Sequence, residues 1–179
     1  DTLAKAYQEK ASYYKRYLDP ETKLMRGVMA DGSFRTPFNP RYSSHMKSDY
    51  TEGNAFQWSF FVLHDMDNFI AEIGGKKELE TRLDTLFTTS SQIDGAEASG
   101  DITGLIGQYA HGNEPSHHMA YLYNWTDAPW KGAERLDFIM RNFYTNQPDG
   151  IIGNEDCGQM SAWYVLSALG FYQVCPGIP

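Results

Sequence analysis

The chain has 179 residues, 41% hydrophobic and 15% aromatic, with a formal net charge of -8 at pH 7 and an isoelectric point near 5.0. That is enough apolar material for one globular domain, and too many aromatics for a disordered chain. The acidic balance argues against nucleic acid and anionic membranes as partners, which would gain no cationic counterpart, and no apolar run reaches the ~20 residues of a membrane span.

From the N-terminus, Leu3 to Leu18 reads as a helix rich in Ala, Lys, Gln and Glu, closed by Asp19-Pro20. Residues 20–50 show little periodicity and are punctuated by Asp31-Gly32, Pro37 and Pro40, so a long loop is expected, with a short strand at Leu24–Met29. Asn54 to Ile73 reads as one strongly apolar helix stopped by Gly74-Gly75, because Phe60, Phe61, Leu63, Phe69 and Ile70 leave little polar face. Lys76 to Thr88 is amphipathic, with Leu79, Leu83, Leu86 and Phe87 on one side. Ser90 to Gly107 reads as loop. Two further helices are expected at Ser116–Trp125 and Pro129–Tyr144, the second with Ala133, Leu136, Met140 and Phe143 on a shared face. Asp149-Gly150 is a turn, Gln159 to Leu169 is the last helix, ended by Gly170, and a short strand could follow at Tyr172–Val174. The expected class is mainly α, with residues 1–179 as one unit. Helices alternating with loops would suit helical hairpins stacked in a ring. Cys157 and Cys175 make no disulfide framework and lie near apolar segments, so buried thiols are expected. The N-terminal Asp1-Thr2-Leu3-Ala4-Lys5 has no signal-peptide pattern.

Three loops before helices carry a Gly-Asn pair and a carboxylate: Glu52-Gly53-Asn54, Gly112-Asn113-Glu114 and Gly153-Asn154-Glu155-Asp156. Helix N-termini offer free N–H groups, and glycine permits tight loops that bring side chains together. Helix capping alone explains each pair. It explains less well the aromatic and histidine residues beside all three. Two carboxylates flanking a glycosidic bond can hydrolyse it, one protonating the leaving oxygen and the other activating water. Glu52 is the candidate acid, since Tyr50, Phe56 and Trp58 would form an apolar pocket that keeps it protonated. Asp156 is the candidate base and Glu155 its competitor. Aromatic faces such as Trp58 suit sugar rings, although core packing accounts for most aromatics. Adjacent His117 and His118 point about 100° apart on a helix, which disfavours one shared zinc. A hydrogen-bonding role in a sugar pocket, or helix-start packing, is expected instead.

The motifs resemble glycoside hydrolase family 92. Tyr50-Thr51-Glu52-Gly53-Asn54-Ala55-Phe56-Gln57-Trp58 with His64-Asp65 is similar to one signature, and Gly112-Asn113-Glu114-Pro115-Ser116-His117-His118 with Tyr121-Leu122-Tyr123-Asn124 to a second. The run Gly153-Asn154-Glu155-Asp156-Cys157-Gly158-Gln159-Met160-Ser161-Ala162-Trp163-Tyr164 is similar to a third. The resemblance implies an inverting, calcium-dependent exo-α-mannosidase acting on terminal mannose of glycans, with an (α/α)6 barrel packed on a β-sandwich. Family members are several times longer, so this chain would be a barrel segment whose partners include the remaining domains of the parent enzyme. By motif, Glu52 becomes the acid and Asp156 the base. Asn113 and Glu114 become leaving-sugar contacts and candidate calcium ligands, while His117, His118, Trp58, Gln57 and Asn154 are further candidate substrate contacts. Asn154 stands where some members have a second aspartate, and Asn113 where some α-1,2-specific members have histidine; the expected linkage is α-1,2. A secreted or periplasmic location is implied as well. Two other classes compete. A helical-barrel sugar isomerase or epimerase would use His117 and His118 for proton abstraction, and a non-catalytic sugar-binding module would need neither Glu52 nor Asp156.

Overall fold

The computed structural model describes residues 2–176. Among them the chain is mainly helical, as expected. Its α-helices are α1 Thr2–Ala11, α2 Ala55–Trp58, α3 Met66–Ile73, α4 Lys76–Thr88, α5 Pro129–Asn142 and α6 Gln159–Ala168. Tighter 3-10 segments cover Tyr13–Arg16, Glu114–Ser116 and Met119–Trp125. The single described sheet pairs β1 Leu105–Ile106 with β2 Tyr109–Ala110, antiparallel, with Leu105 opposite Ala110.

The helix α4 keeps both the bounds and the face read from its periodicity: Leu79, Leu83, Leu86 and Phe87 are buried. The expected first helix is shorter. Ser12 Oγ bonds back to the Glu9 carbonyl at 2.7 Å, and the chain tightens into the Tyr13–Arg16 turn. The apolar run from Asn54 to Ile73 is two helices, not one. Ser59 Oγ bonds the Ala55 carbonyl at 2.5 Å and accepts from the Met25 backbone N–H at 2.8 Å, and His118 Nε2 lies 2.9 Å from the Phe60 carbonyl. At Phe60 a side chain thus takes the carbonyl that a continuous helix would offer to His64. The break turns Phe60 and Val62 into the core alongside Phe69 and Ile73.

The expected Ser116–Trp125 helix is 3-10 in character, and Met119 to Tyr123 are all buried. The helix α5 rides closely over this segment. A Cβ on Gly132 would stand 2.7 Å from the Ala120 carbonyl oxygen, so only glycine permits the approach. The buried side of α5 is set by Gly132 and Ile139, with Leu136, Met140 and Phe143 packed beside them, while Ala133 is exposed. Leu24–Met29 forms no strand, only isolated bridges Leu18–Met25 and Val28–Phe34. Tyr172–Val174 forms none either; Tyr172 instead stacks on Tyr121 with ring centroids 4.8 Å apart. The thiols are not buried as expected: Cys157 is exposed and Cys175 half-buried, both free.

The core gathers Phe60, Phe69 and Ile73, the α4 leucines, Leu122, Tyr123, Ile139 and Trp163. Each such side chain contributes roughly 1.5–3 kcal/mol on burial. This block holds the starts of α2, the Glu114–Trp125 stretch and α6, and so fixes the loops that precede them.

Candidate functional site

Each of the three Gly-Asn loops has its own local construction. In the first, Asn54 is the N-cap of α2: its side chain accepts from the Phe56 and Gln57 N–H groups, and Gln57 Oε1 accepts from the Asn54 N–H at 2.8 Å. Gln57 Nε2 donates to the Gln108 carbonyl at 2.8 Å, and Asn54 Nδ2 to Gln108 Oε1 at 2.8 Å. Gln57 is therefore a buried capping residue and not the substrate contact expected of it. In the other two loops the asparagine is not the cap. Asn113 stands at the start of its 3-10 turn without using its side chain as a cap, and the N-cap of α6 is Gly158.

Glu52 has φ +50, Asp156 +50 and Cys157 +56; Lys23 is the other described non-glycine residue in this left-handed region. Such backbone is costly for residues with a Cβ and persists only where surroundings enforce it. Both expected catalytic carboxylates thus stand on enforced turns.

The loops are tied to one another. Asn113 Nδ2 donates to the Glu52 carbonyl oxygen at 3.1 Å and to Glu52 Oε2 at 3.4 Å. Gly153, at φ +74, packs its Cα on the second loop: a Cβ there would lie 2.9 Å from the Gly112 carbonyl oxygen and 3.0 Å from Gly112 Cα. Thr103 seals the junction. Its carbonyl accepts from the Gly112 N–H at 3.1 Å, and its Oγ1 packs against the Gly112 Cα, leaving no room for a side chain there.

The carboxylates come to one rim as a result. Glu114 stands beside Asp156, and the Glu52 charge is close enough to act on Glu114. Burial, first, and then the Asp156 charge push the Glu114 carboxyl above its usual range, and the Glu52 charge pushes the same way. Glu52 itself is exposed, so the apolar pocket expected around it is not formed by this chain. Glu155, the rival base, is occupied elsewhere. Its carboxylate accepts from the Ser161 N–H at 3.1 Å and the Ser161 hydroxyl at 2.9 Å, at the start of α6. Asn154 is exposed on the same loop.

The histidines lie beneath this rim. His117 Nε2 is 2.9 Å from the His111 carbonyl and its Nδ1 3.1 Å from Gln159 Nε2; Trp163 Nε1 donates to the His117 carbonyl at 2.9 Å. His118 is tied to Phe60, as described. His111 bridges the Tyr109 and Tyr144 hydroxyls at 2.8 and 2.7 Å. Burial pushes His111 down to about 3, and His117 and His118 to about 4, so all are neutral at pH 7. Of the two roles expected for His117 and His118, helix-start packing is the one the geometry matches. Rings enclosed in this way offer no base to a sugar isomerisation. Trp58 is half-buried, its Nε1 donating to the Thr51 carbonyl at 2.7 Å. It lines, with Tyr17, Arg26, Tyr50 and Phe61, a cleft of about 540 Å³ beside the Glu52 loop.

Sequence reasoning missed Thr103, Gln108, Gln159 and Tyr172. Burial chiefly, together with the Tyr121 and Glu114 charges, pushes the Tyr172 hydroxyl above its usual range, with Gln159 acting the other way. Only for Gly112 and Gly153 was there a signal, the repeated glycine, and its use is contact more than flexibility.

All of residues 1–179 match the family described as glycosyl hydrolase family 92 catalytic domain. The chain is 46% identical to a family GH92 alpha-mannosidase from Bacteroides thetaiotaomicron solved in complex with mannoimidazole, over 91% of this chain and 22% of that one, with a TM-score of 0.83. A GH92 inverting mannosidase of the same organism is 34% identical, covering 99% of this chain and 25% of that one, with a TM-score of 0.79. An "Uncharacterized secreted glycosidase" of Arthroderma benhamiae is 26% identical over 130 residues, 73% of this chain and 14% of the relative. The chain thus spans between a seventh and a quarter of these relatives' lengths. Its mainly helical build is that of a segment of an (α/α)-type barrel.

Proposed function

We infer the activity from one premise: the chain belongs to glycosyl hydrolase family 92. We propose that it forms part of the active centre of an exo-acting α-mannosidase that removes terminal α-linked mannose from glycans with inversion. The observation that carries this reading is the interlocking of the three loops that bear Glu52, Glu114 and Asp156, through Asn113 on Glu52 and Gly153 on Gly112. The kinship with a mannosidase solved with mannoimidazole, and with another described as inverting, supports the substrate and the outcome. Residues 1–179 are proposed as part of the catalytic barrel domain, and its partners as the remaining domains of the parent enzyme.

In the proposed reaction the Glu52 carboxyl gives its proton to the glycosidic oxygen as the bond to C1 breaks. Asp156 takes a proton from a water that attacks C1 on the opposite face, so the anomeric configuration inverts. Glu114, beside Asp156, is the residue proposed to orient it. Asn154 and Trp58 remain candidate sugar contacts at the rim. The α-1,2 linkage is proposed on the motif resemblance around Glu114; Asn113 does not support it, since some α-1,2-specific members have histidine there. Secretion is proposed on the Arthroderma relative's description; no helix among the described residues is long and apolar enough to cross a membrane.

Calcium takes about six to eight oxygen ligands. Among the described residues no three His, Cys, Asp or Glu side chains gather to hold a metal. Asn113 and Glu114, the expected ligands, are engaged with Glu52 and Asp156. The residues of this chain alone do not fit the ion, and no step above runs through it. We propose that calcium dependence belongs to the parent enzyme, with ligands drawn mainly from outside residues 1–179.

The test is Glu52→Gln in the protein that carries this chain. Cleavage of mannosides with sugar leaving groups should fall roughly 10²–10⁴-fold. Activated aryl mannosides, which need little protonation, should lose far less. Equal loss on both substrates would falsify the acid role.

A further inference from the structure

We propose that Asn113 is a positioning residue for the acid Glu52, and not primarily a contact to the leaving sugar. The inference rests on the reading of Glu52 as the acid. Asn113 is 8% exposed and sits where an asparagine ordinarily caps a helix turn, yet its side chain makes no cap. Its backbone is already served: the N–H donates to the Ala110 carbonyl at 3.3 Å, and the carbonyl accepts from Ser116 at 3.2 Å. The amide is left free to reach across 61 residues of sequence to Glu52, where it meets both the backbone carbonyl and Oε2.

That double contact has a physical purpose. Glu52 stands at φ +50, a conformation that is costly for a residue with a Cβ and persists only where its surroundings enforce it. Glu52 is also exposed, so packing does not hold its side chain. An N–H donor to its carbonyl secures the turn, and the same amide fixes one carboxyl oxygen, leaving the other to face substrate. Since Gly112 is seated on Gly153, Asn113 also refers the position of the acid to the loop that carries the base. One side chain sets acid and base on a common frame.

Asn113→Ala and Asn113→Asp remove the donor, the second at nearly constant shape. Both should be made beside Glu52→Gln in the protein that carries this chain. Each is measured for kcat and KM on a mannoside with a sugar leaving group and on an activated aryl mannoside. The expected result is a fall of about 10–100-fold in kcat on the sugar mannoside, several times greater than on the aryl substrate, with KM little changed. Retained turnover of the aryl mannoside certifies the fold. Equal losses on both substrates, or a raised KM for the sugar mannoside alone, overturn the positioning role when Glu52→Gln remains selective. A Glu52→Gln variant that loses equally on both overturns the acid assignment and this inference with it.

Discussion

Glu155 and Asp156 are neighbours in sequence, and the structure gives them different partners. The Glu155 carboxylate holds the Ser161 N–H and hydroxyl at the start of α6, whereas Asp156 stands on a left-handed turn beside Glu114. Asp156→Asn should therefore reduce kcat by roughly 10²–10⁴-fold with little change in unfolding temperature. Glu155→Ala should do the reverse, lowering stability by about 0.5–2 kcal/mol, as loss of a cap does, with kcat changed severalfold at most. Chemical denaturation alongside steady-state kinetics separates the two; a silent Glu155→Ala enzyme would return Glu155 to the reaction. The carboxylates themselves were legible because they recur beside Gly-Asn in three places. The fates of Gln57, His117 and His118 were not. Whether a polar ring meets solvent or a backbone carbonyl depends on Phe60 and His111, which no local pattern connects to it.

Among elements, those whose period is local were read correctly: α4, α5 and α6 follow from apolar spacing, a leading proline and a closing glycine. The run from Asn54 to Ile73 misled because its apolar content is continuous while its backbone partners, Met25 and His118, lie far away in sequence. The short β1–β2 hairpin was hidden for a similar reason, being set by Gly107 turning against the Leu86 carbonyl. Loop junctions carry a test of their own. Gly153 and Gly32 both have positive φ, +74 and +87, but a Cβ at Gly32 meets nothing within 4 Å. Gly32→Ala should cost roughly 1–2 kcal/mol, the strain alone. Gly153→Ala should cost more and also depress kcat, because the new methyl pushes the Asp156 loop off Gly112. Equal stability losses in the two variants, with unchanged kcat in both, would show that the glycine contact does not set the site.

For the molecule as a whole, the sequence-level expectation of a mainly helical segment holds, and so does the family kinship. What a local reading could not supply is which groups the segment leaves incomplete. Val165, Leu169 and Phe171 are 53%, 66% and 59% exposed along and just beyond α6, apolar surface of the kind that another part of a protein covers. The proposed calcium site would be incomplete in the same sense. A chelator such as EDTA should cut mannoside turnover of the parent protein more than tenfold, and added calcium should restore it. Calcium titrated into residues 1–179 alone should reveal no saturable site. Full turnover in chelator, or tight binding by this chain, would contradict the division of ligands proposed above.

The bond from Asn113 to Glu52 and the seat of Gly153 on Gly112 also have a consequence in time. Acid and base are 104 positions apart along the chain, 52 to 156, and neither is aligned until the intervening stretch has been laid between them. A nascent polypeptide that has emerged only as far as Glu114 already displays two of the three motifs yet lacks Asp156, the proposed base. The two loops come into register only when α6 docks and brings its loop onto the glycine of the second. Alignment of the proposed acid and base is in this way a property of topology, which no single motif carries by itself.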